Sequence, residues 1–472
     1  MSWKDTYLVW SKESTLERSL KEELLSLQGD EEALKDAFYA PLEFGTAGMR
    51  GVLGAGINRM NIYTVRQATE GLARLLDSKG EKKKQGVAIA YDSRNFSPEF
   101  AMEAAKVLAN HDIPSFVFEG LRPTPELSFT VRELKAVAGI MITASHNPAK
   151  YNGYKVYGED GGQMPPYDAD ALTRYVRSIE NPLKISVADE KQAKEKGLIK
   201  IIGEDLDSKY LELVKGVTLN QELIDEVGKD LKLVYTPLHG TGEMLGRRAL
   251  MQAGFTSVLL VEEQAVPDGN FSTVKSPNPE EESAFELAIR LGEKVNADVL
   301  VATDPDADRL GVAVRMPNGK YQVLTGNQIG AILAKYVLEA HKQKGTLPKN
   351  AAILKSIVTS ELVTKIAESY GVPVFNVLTG FKFIAEKIQE FEEANSYEYI
   401  FGFEESYGYL VKPFVRDKDA IQALLLTAEV AAFYKKQGKT LYDGLQDIFK
   451  EYGYYLEKTI SVTMDGIDGV EK

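Results

Sequence analysis

Three aspartates at alternate positions of TDPDADRLG, namely Asp304, Asp306 and Asp308, could together do chemistry with a serine, Ser145, in the stretch TASHNP. In an irregular loop, alternate carboxylates converge on one hard divalent cation, and an all-oxygen donor set favours magnesium. An EF-hand is excluded, because that motif wants glycine in its sixth position and glutamate in its twelfth, where this chain has Arg309 and Arg315. A solvated Asp-Pro-Asp turn is the competing reading of any isolated acidic loop. Its place directly after the apolar run ADVLVA weighs against that.

In TASHNPAKYNGYKVYG, Thr143 to Gly158, a serine stands where a buried strand should end, His146 follows at once and Lys155 comes ten residues after Ser145. Ser, Asn and Pro also make idle turns. The three carboxylates and their cation gain a purpose if the serine oxygen, or a phosphate on it, completes the coordination. A phosphoserine beside a cation is a stored phosphoryl group, with oxygen charge neutralised so that a sugar hydroxyl can approach the phosphorus. On this reading Ser145 is a phosphate carrier.

The elements that must position these loops recur three times. Apolar runs occur in sets of three: VAIAY at Val87, SFVF at Ser115 and VAGIMI at Val137; LKLVY at Leu231, SVLLV at Ser257 and ADVLVA at Ala297; AAIL at Ala351, PVFNV at Pro373 and YIFGF at Tyr399. Short apolar runs alternating with turn residues or helical patterns read as βα units of parallel sheets. The fold class is therefore α/β, with three consecutive related domains of mainly parallel sheet around a central cleft. Expected boundaries are 1–205 for the domain with the serine loop, 206–323 for the metal loop and 324–450 for the third. Ligand loops of open parallel sheets lie beyond the carboxyl ends of the strands. The third run of each set is followed by TASHNP, TDPDADRLG and EESYGY, respectively.

Composition removes other function classes. At 472 residues, 44% hydrophobic and 26% charged, the chain has the mix of a multidomain globular protein. A net charge of −13 argues against nucleic acid or an anionic membrane as the main partner. No apolar run approaches the roughly 20 residues of a membrane helix, and MSWKDTYLVWSKESTLERSL reads as an amphipathic helix, so a cytoplasmic location is expected. Zero cysteines exclude disulfides and thiolate chemistry. GVLGAG near Gly51 lacks both the dinucleotide fingerprint and the P-loop lysine. Oligomeric state is left open.

TASHNP with a lysine ten residues on, DPDADR, TGFK and GFEESYG, in order between FGTAGMRG at Phe44 and RDKDA at Arg416, resemble the α-D-phosphohexomutase superfamily. Within it the likeness is to the bacterial phosphoglucomutase and phosphopentomutase branch. The resemblance implies that Ser145 is a phosphoserine, holding Mg²⁺ with Asp304, Asp306 and Asp308, and that a glucose 1,6-bisphosphate is the intermediate and activator. It implies Lys155 as a general acid or base, since a lysine crowded by a metal and arginines loses affinity for its proton. Lys382 is a second acid–base candidate and His146 either a catalyst or a loop-ordering residue. Arg50 and Arg309 would clamp phosphoryl oxygens. Thr379 and Gly380 would line the sugar, Glu404 and Ser406 would bind its hydroxyls, and Arg416 and Lys418 belong to a substrate-facing segment. Each lysine has a solvated-surface alternative, Arg416 and Lys418 could simply pair with their own aspartates, and His239 in TPLHGTG reads as structural.

The activity implied is interconversion of glucose 1-phosphate and glucose 6-phosphate. Phosphopentomutase is the same-class alternative. Phosphomannomutase loops resemble Glu-Met-Ser-Gly-His, where this chain has Gly408 in place of the histidine. A silent sugar-phosphate binder and a phosphatase are the rivals of other classes. Such mutases carry a fourth domain with an Arg-Ser-Gly-Thr-type loop, which has no counterpart here. Residues 451–472 are expected to begin that domain, and turnover by this length of chain to be low.

Overall fold

The computed structural model describes residues 2–44, 48–458 and 460. Gly45 to Ala47 of the FGTAGMRG motif and residues 461–472, where the start of a fourth domain is expected, lie outside the described residues. Among the described residues no helix is long and apolar enough to cross a membrane.

All nine apolar runs form strands, in three separate sheets. The first sheet contains β1 (Met49–Val52), β2 (Val87–Tyr91), β3 (Ser115–Phe118), β4 (Ala138–Ile142), β5 (Tyr151–Gly158) and β6 (Ile199–Ile202), in the order β1-β5-β4-β2-β3-β6. The second contains β7 (Leu233–Thr236), β8 (Val258–Leu260), β9 (Val299–Thr303), β10 (Leu310–Arg315) and β11 (Tyr321–Val323), ordered β11-β10-β9-β7-β8. The third contains β12 (Ala351–Ser356), β13 (Val374–Val377), β14 (Glu398–Glu404) and β15 (Gly408–Leu410), ordered β13-β12-β14-β15. Every residue of β2, β4, β7 and β9 is buried, as expected of strands covered by helices on both faces.

The repeat is stricter than the sequence shows. In each sheet the first strand of the set lies between the second and third and is parallel to both. The third then turns back as an antiparallel neighbour: β4 into β5, β9 into β10, β14 into β15. Each of those reversals turns on a non-glycine residue in the left-handed region, Ser145 (φ 50°), Ala307 (φ 50°) and Tyr407 (φ 64°). A left-handed non-glycine residue costs roughly 1–2 kcal/mol, so each turn needs contacts that hold it.

The helix Trp3–Lys12 matches the amphipathic N-terminus, capped by Ser2 and packed through Trp10 against Phe38 and Tyr63. The helix Glu204–Val214 runs across the first expected boundary. The second and third domains are not separate bodies. The helix Ala420–Lys436, buried along most of its length, packs on Gly242–Ala253 and on β9 and β10 as well as on β15, so one hydrophobic core serves both sheets. This fixes the aspartate loop relative to the third domain's turn.

Candidate active site

The turn after β4 is built around a buried cation. Arg94 is 1% exposed, and its guanidinium donates to the carbonyls of Pro148 and Tyr151 (2.9 Å each), Ser145 (2.6 Å) and Asn147 (2.5 Å). These are the contacts that hold Ser145 in its left-handed conformation. Asp92 balances the charge: its carboxylate lies 3.3 Å from Arg94 Nε and accepts from Thr143 Oγ1 (2.6 Å) and Ser97 Oγ (2.8 Å). Thr143 Oγ1 in turn accepts from Ser145 N at 2.8 Å. From the second domain, the Phe271 ring covers the guanidinium at 5.0 Å, and Ser276 Oγ donates to His146 O at 3.1 Å.

The turn after β9 carries the aspartates, all buried. Asp304 Oδ1 accepts from the backbone N–H groups of Asp308 and Arg309, both at 3.1 Å, and Asp304 Oδ2 accepts from Ser145 Oγ at 2.7 Å. Asp306 Oδ2 accepts from Thr124 Oγ1 (2.7 Å) and from Lys155 Nζ (3.1 Å), both in the first domain. Asp308 Oδ2 faces Lys155 at 3.7 Å and Lys418, from the third domain, at 3.3 Å. The TPLHGTG loop lies underneath. A Cβ on Gly240 would sit 2.5 Å from Pro305 Cα, and Thr241 N donates to Pro305 O at 2.8 Å, so this glycine is what allows the close approach. His239 spends both ring nitrogens, on Val266 O and Thr273 Oγ1, and is structural.

One oxygen from each aspartate lies within 4.8 Å of the others, and Asp306 Oδ1 and Asp308 Oδ1 are buried without a hydrogen-bond partner. Orphaned buried carboxylate oxygens call for a ligand, and an all-oxygen cluster of this kind fits a hard divalent cation. Electrostatics agree. Burial, and then Asp306 and Asp308 beside it, raise Asp304 well above the usual carboxylate range. Burial pushes Asp306 the same way, but Lys155 and Thr124 outweigh it and hold that carboxylate below the range. The cluster thus disfavours a full set of charges on its carboxylates with the lysines alone beside it.

His146 Nδ1 lies 3.4 Å from Ser145 Oγ. Burial, with Arg309 and Arg50 nearby, pushes the imidazole down to about 2, so the ring stays neutral and resists taking up a proton. Arg50, on β1, donates to Asn147 Oδ1 at 2.9 Å and so overhangs the serine turn. Arg309 donates to Glu280 Oε1 (2.9 Å) and to Ser406 O (3.0 Å), bridging the second and third domains.

In the third domain Glu404 closes β14 and accepts from Gly380 N at 2.8 Å, which ties the Thr379–Gly380 turn to the carboxylate. Gly380 adopts φ +120°, a conformation side chains rarely take. Burial raises Glu404 above the usual range. Its neighbour Glu405 points the other way, onto Ser356 Oγ (2.9 Å) and Thr359 Oγ1 (3.1 Å), and anchors the turn. Lys418 reaches Asp308 because Gly408 leaves room: a Cβ there would lie 2.1 Å from Lys418 Cδ. Lys418 also pairs with Asp417 (3.3 Å), which accepts from Tyr157 OH at 2.6 Å. Burial works against the charge on Lys418, and Asp308 and Asp417 together overcome it.

Two sequence-derived candidates are not joined to this cluster. Lys382 lies over the Phe383 ring in a crevice with Asp160 and Gln163, and burial lowers its hold on its proton. Arg416 pairs neither with the cluster nor with Asp417; its guanidinium is taken up by Pro413 O (2.7 Å), Gln389 Oε1 (3.0 Å) and Glu392 Oε1 (2.6 Å). Arg94, Thr124 and Glu280 escaped the sequence reading. The first two were within reach, because Asp92–Arg94 follows VAIAY and Thr124 follows SFVF, so the rule that points beyond strand ends applies to them as well.

Three family models match the chain in succession: phosphoglucomutase/phosphomannomutase alpha/beta/alpha domain I over residues 41–183, domain II over 208–318 and domain III over 325–452. A phosphoglucomutase of Staphylococcus aureus (strain MSSA476) is 41% identical over 465 residues, which is 98% of this chain and 81% of that protein. Among solved structures, a putative phosphomannomutase from Thermus thermophilus superposes with a TM-score of 0.72 at 27% identity, covering 88% of this chain and 84% of that one. The fold is also shared, at a TM-score of 0.52 and 14% identity, with an N-acetylphosphoglucosamine mutase from Aspergillus fumigatus solved with glucose 1,6-bisphosphate; the match covers 94% of this chain and 82% of that one.

Proposed function

The chain belongs to the phosphoglucomutase/phosphomannomutase family, and on that premise we propose that it interconverts glucose 1-phosphate and glucose 6-phosphate through a phosphoserine at Ser145 and a glucose 1,6-bisphosphate intermediate. The observation that carries this reading is Ser145 Oγ, held 2.7 Å from one of three buried aspartates on a turn whose backbone is fixed before substrate arrives.

In the proposed cycle the bond between phosphorus and Ser145 Oγ breaks as a bond forms between phosphorus and the free sugar hydroxyl. The hydroxyl proton ends on Oγ. Lys155, beside Asp306, is the group placed to carry that proton, and neutral His146, 3.4 Å from Oγ, is a hydrogen-bonding neighbour that orders the turn. The bisphosphate then reorients, and the other phosphate returns to Ser145 by the reverse of the same step. Arg50 and Arg309 fork onto the phosphoryl oxygens, and Glu404 and Ser406 bind ring hydroxyls. Lys418 supports Asp308, and Arg416 fixes the segment that carries Lys418. Asp304, Asp306 and Asp308, with the phosphate on Ser145, would hold Mg²⁺, which when bound neutralises charge on the transferring group. Positioning and electrostatics of this kind are most of what phosphoryl transfer requires. Free sugar phosphates as substrates fit a cytoplasmic enzyme.

The test is a side-by-side assay of glucose 1-phosphate and ribose or deoxyribose 1-phosphate, with Mg²⁺ and glucose 1,6-bisphosphate. Faster isomerisation of the hexose is expected. Faster turnover of the pentoses would make the protein a phosphopentomutase, and no turnover of either would overturn the proposal.

A further inference from the structure

We infer that Glu280 is the positioning residue that aims Arg309 at a phosphoryl group, an inference that rests on the mutase reading above. Arg309 follows the aspartate turn directly, yet one nitrogen does all its side-chain anchoring: Nη1 donates to Glu280 Oε1 at 2.9 Å and to Ser406 O at 3.0 Å. Its Nε is buried with no hydrogen-bond partner, 4.0 Å from Asp308 Oδ1, and among the described residues Nη2 makes no hydrogen bond. The unspent Nε–Nη2 edge is the one that presents two parallel N–H groups and forks onto two oxygens of a phosphate.

Glu280 sits on a braced segment. Its own N–H donates to Asn278 Oδ1 at 3.1 Å. The preceding Pro279 lies so close to β10 that a Cβ on Gly311 would come within 2.3 Å of Pro279 O. Ser276, four residues upstream, donates to His146 O. The same short stretch therefore touches the serine turn at one end and Arg309 at the other, and it sets the spacing between the phosphoryl carrier and the guanidinium. A carboxylate beside a phosphate-binding cation opposes the phosphate electrostatically, so its presence is explained by orientation: it fixes one corner of a long flexible side chain and leaves the bidentate edge free.

The experiment compares wild type, E280A, E280Q, R309A and the double replacement E280A/R309A, with Mg²⁺ present. KM and kcat for glucose 1-phosphate are read together with the calorimetric Kd for the same sugar phosphate. E280A should raise KM and Kd roughly tenfold, the size of one misaligned charge-assisted interaction, with a smaller change in kcat. E280Q, whose amide oxygen still accepts from Nη1, should recover most of that loss. In the R309A background E280A should add less than about twofold, because nothing remains to be aimed. Unchanged or tighter binding by E280A would overturn the inference, as would an undiminished E280A loss without Arg309. A wild-type protein that does not turn over hexose phosphates would instead count against the mutase reading, and the calorimetric cycle would still decide the role of Glu280.

Discussion

The turn that carries Ser145 and the turn that carries the three aspartates occupy equivalent positions in two sheets, and they are stabilised in opposite ways. The serine turn is largely completed within its own domain: Arg94 and Asp92 cancel each other's charge, and four backbone carbonyls take up the guanidinium. The aspartate turn is left over-charged by its own domain. Its charge is offset by Lys155 from the first domain and Lys418 from the third, Thr124 adds a hydrogen bond to Asp306, and two of its oxygens still lack partners. One turn is fixed by groups of its own domain, and the other carries negative charge that groups from other domains offset in part. A site assembled from both can exist only where the domains meet.

The largest effect should come from the over-charged turn. Asp306→Asn is expected to lower Mg²⁺-dependent turnover by about 10³-fold or more, since cation stabilisation of this kind is worth several kcal/mol. It should weaken Mg²⁺ in calorimetry while leaving the serine turn intact. Wild-type metal affinity in this variant would break the comparison.

Arg94→Ala tests the other side. Removing one partner of a buried pair leaves Asp92 uncompensated and should destabilise the protein by about 3 kcal/mol or more, read by denaturant unfolding, with a matching loss of phosphorylation at Ser145. Mg²⁺ binding at the aspartates should persist. Equal damage to both functions would mean that the turns are not independently built.

Gly408→Ala sharpens the claim that the aspartate turn borrows charge, because the added methyl group would collide with the stem of Lys418. A cost of about 1–3 kcal/mol is expected from overpacking, together with a fall in turnover on the order of tenfold. Saturating Mg²⁺ should recover part of the stability, since the cation supplies charge that the displaced lysine no longer does. No recovery would show that Lys418 is not compensating Asp308.

The smallest effect lies far from both turns and is a control on them. His111 is held between Glu70 (2.8 Å) and Asp77 (2.7 Å), and its hydrogen bond to Glu70, with Asp77 adding to it, raises its affinity for a proton above the ordinary value of 6.5. A raised histidine stabilises fully below about pH 6.5 and loses that contribution as pH climbs through its folded value. Glu70 and Asp77 are lowered, so their share is present above their ordinary 4.5 and 3.8 and fades as pH falls through the lowered values. His111→Gln should therefore cost up to about 1 kcal/mol at pH 5.5 and nothing measurable at pH 9, with metal-dependent turnover unaffected at either. A cost that grows with pH would contradict the sign.

The nine core strands were legible because each is a short apolar run followed by turn or helical residues, and the chemical turns were legible because they follow those runs. The returning strands were not. YNGYKVYG mixes lysine, asparagine and glycine into β5: Lys155 reaches Asp306, Asn152 on the opposite face donates to Asn95 O and Ser97 Oγ, and Gly153 must clear Thr143 O, which would lie 2.4 Å from a Cβ. Ser145 and the aspartates stand out by residue type and place, and the structure brings them into contact. Arg94 and Glu280 were hidden because what they hold is a set of backbone carbonyls in one case and another arginine in the other, contacts that leave no periodic mark. Arg416 illustrates the reverse, a charged residue in a functional segment whose charge is spent on fixing that segment.

The central claim is that Ser145 is the phosphoryl carrier. It is tested most directly by peptide mass spectrometry of the full chain after incubation with glucose 1,6-bisphosphate and Mg²⁺, with Ser145→Ala in parallel. A single added phosphoryl group mapping to Ser145, absent from the variant and discharged on addition of glucose 1-phosphate, is the expected result. A phosphoryl group mapping elsewhere, or a Ser145 that remains unmodified while the protein turns over substrate, would contradict it.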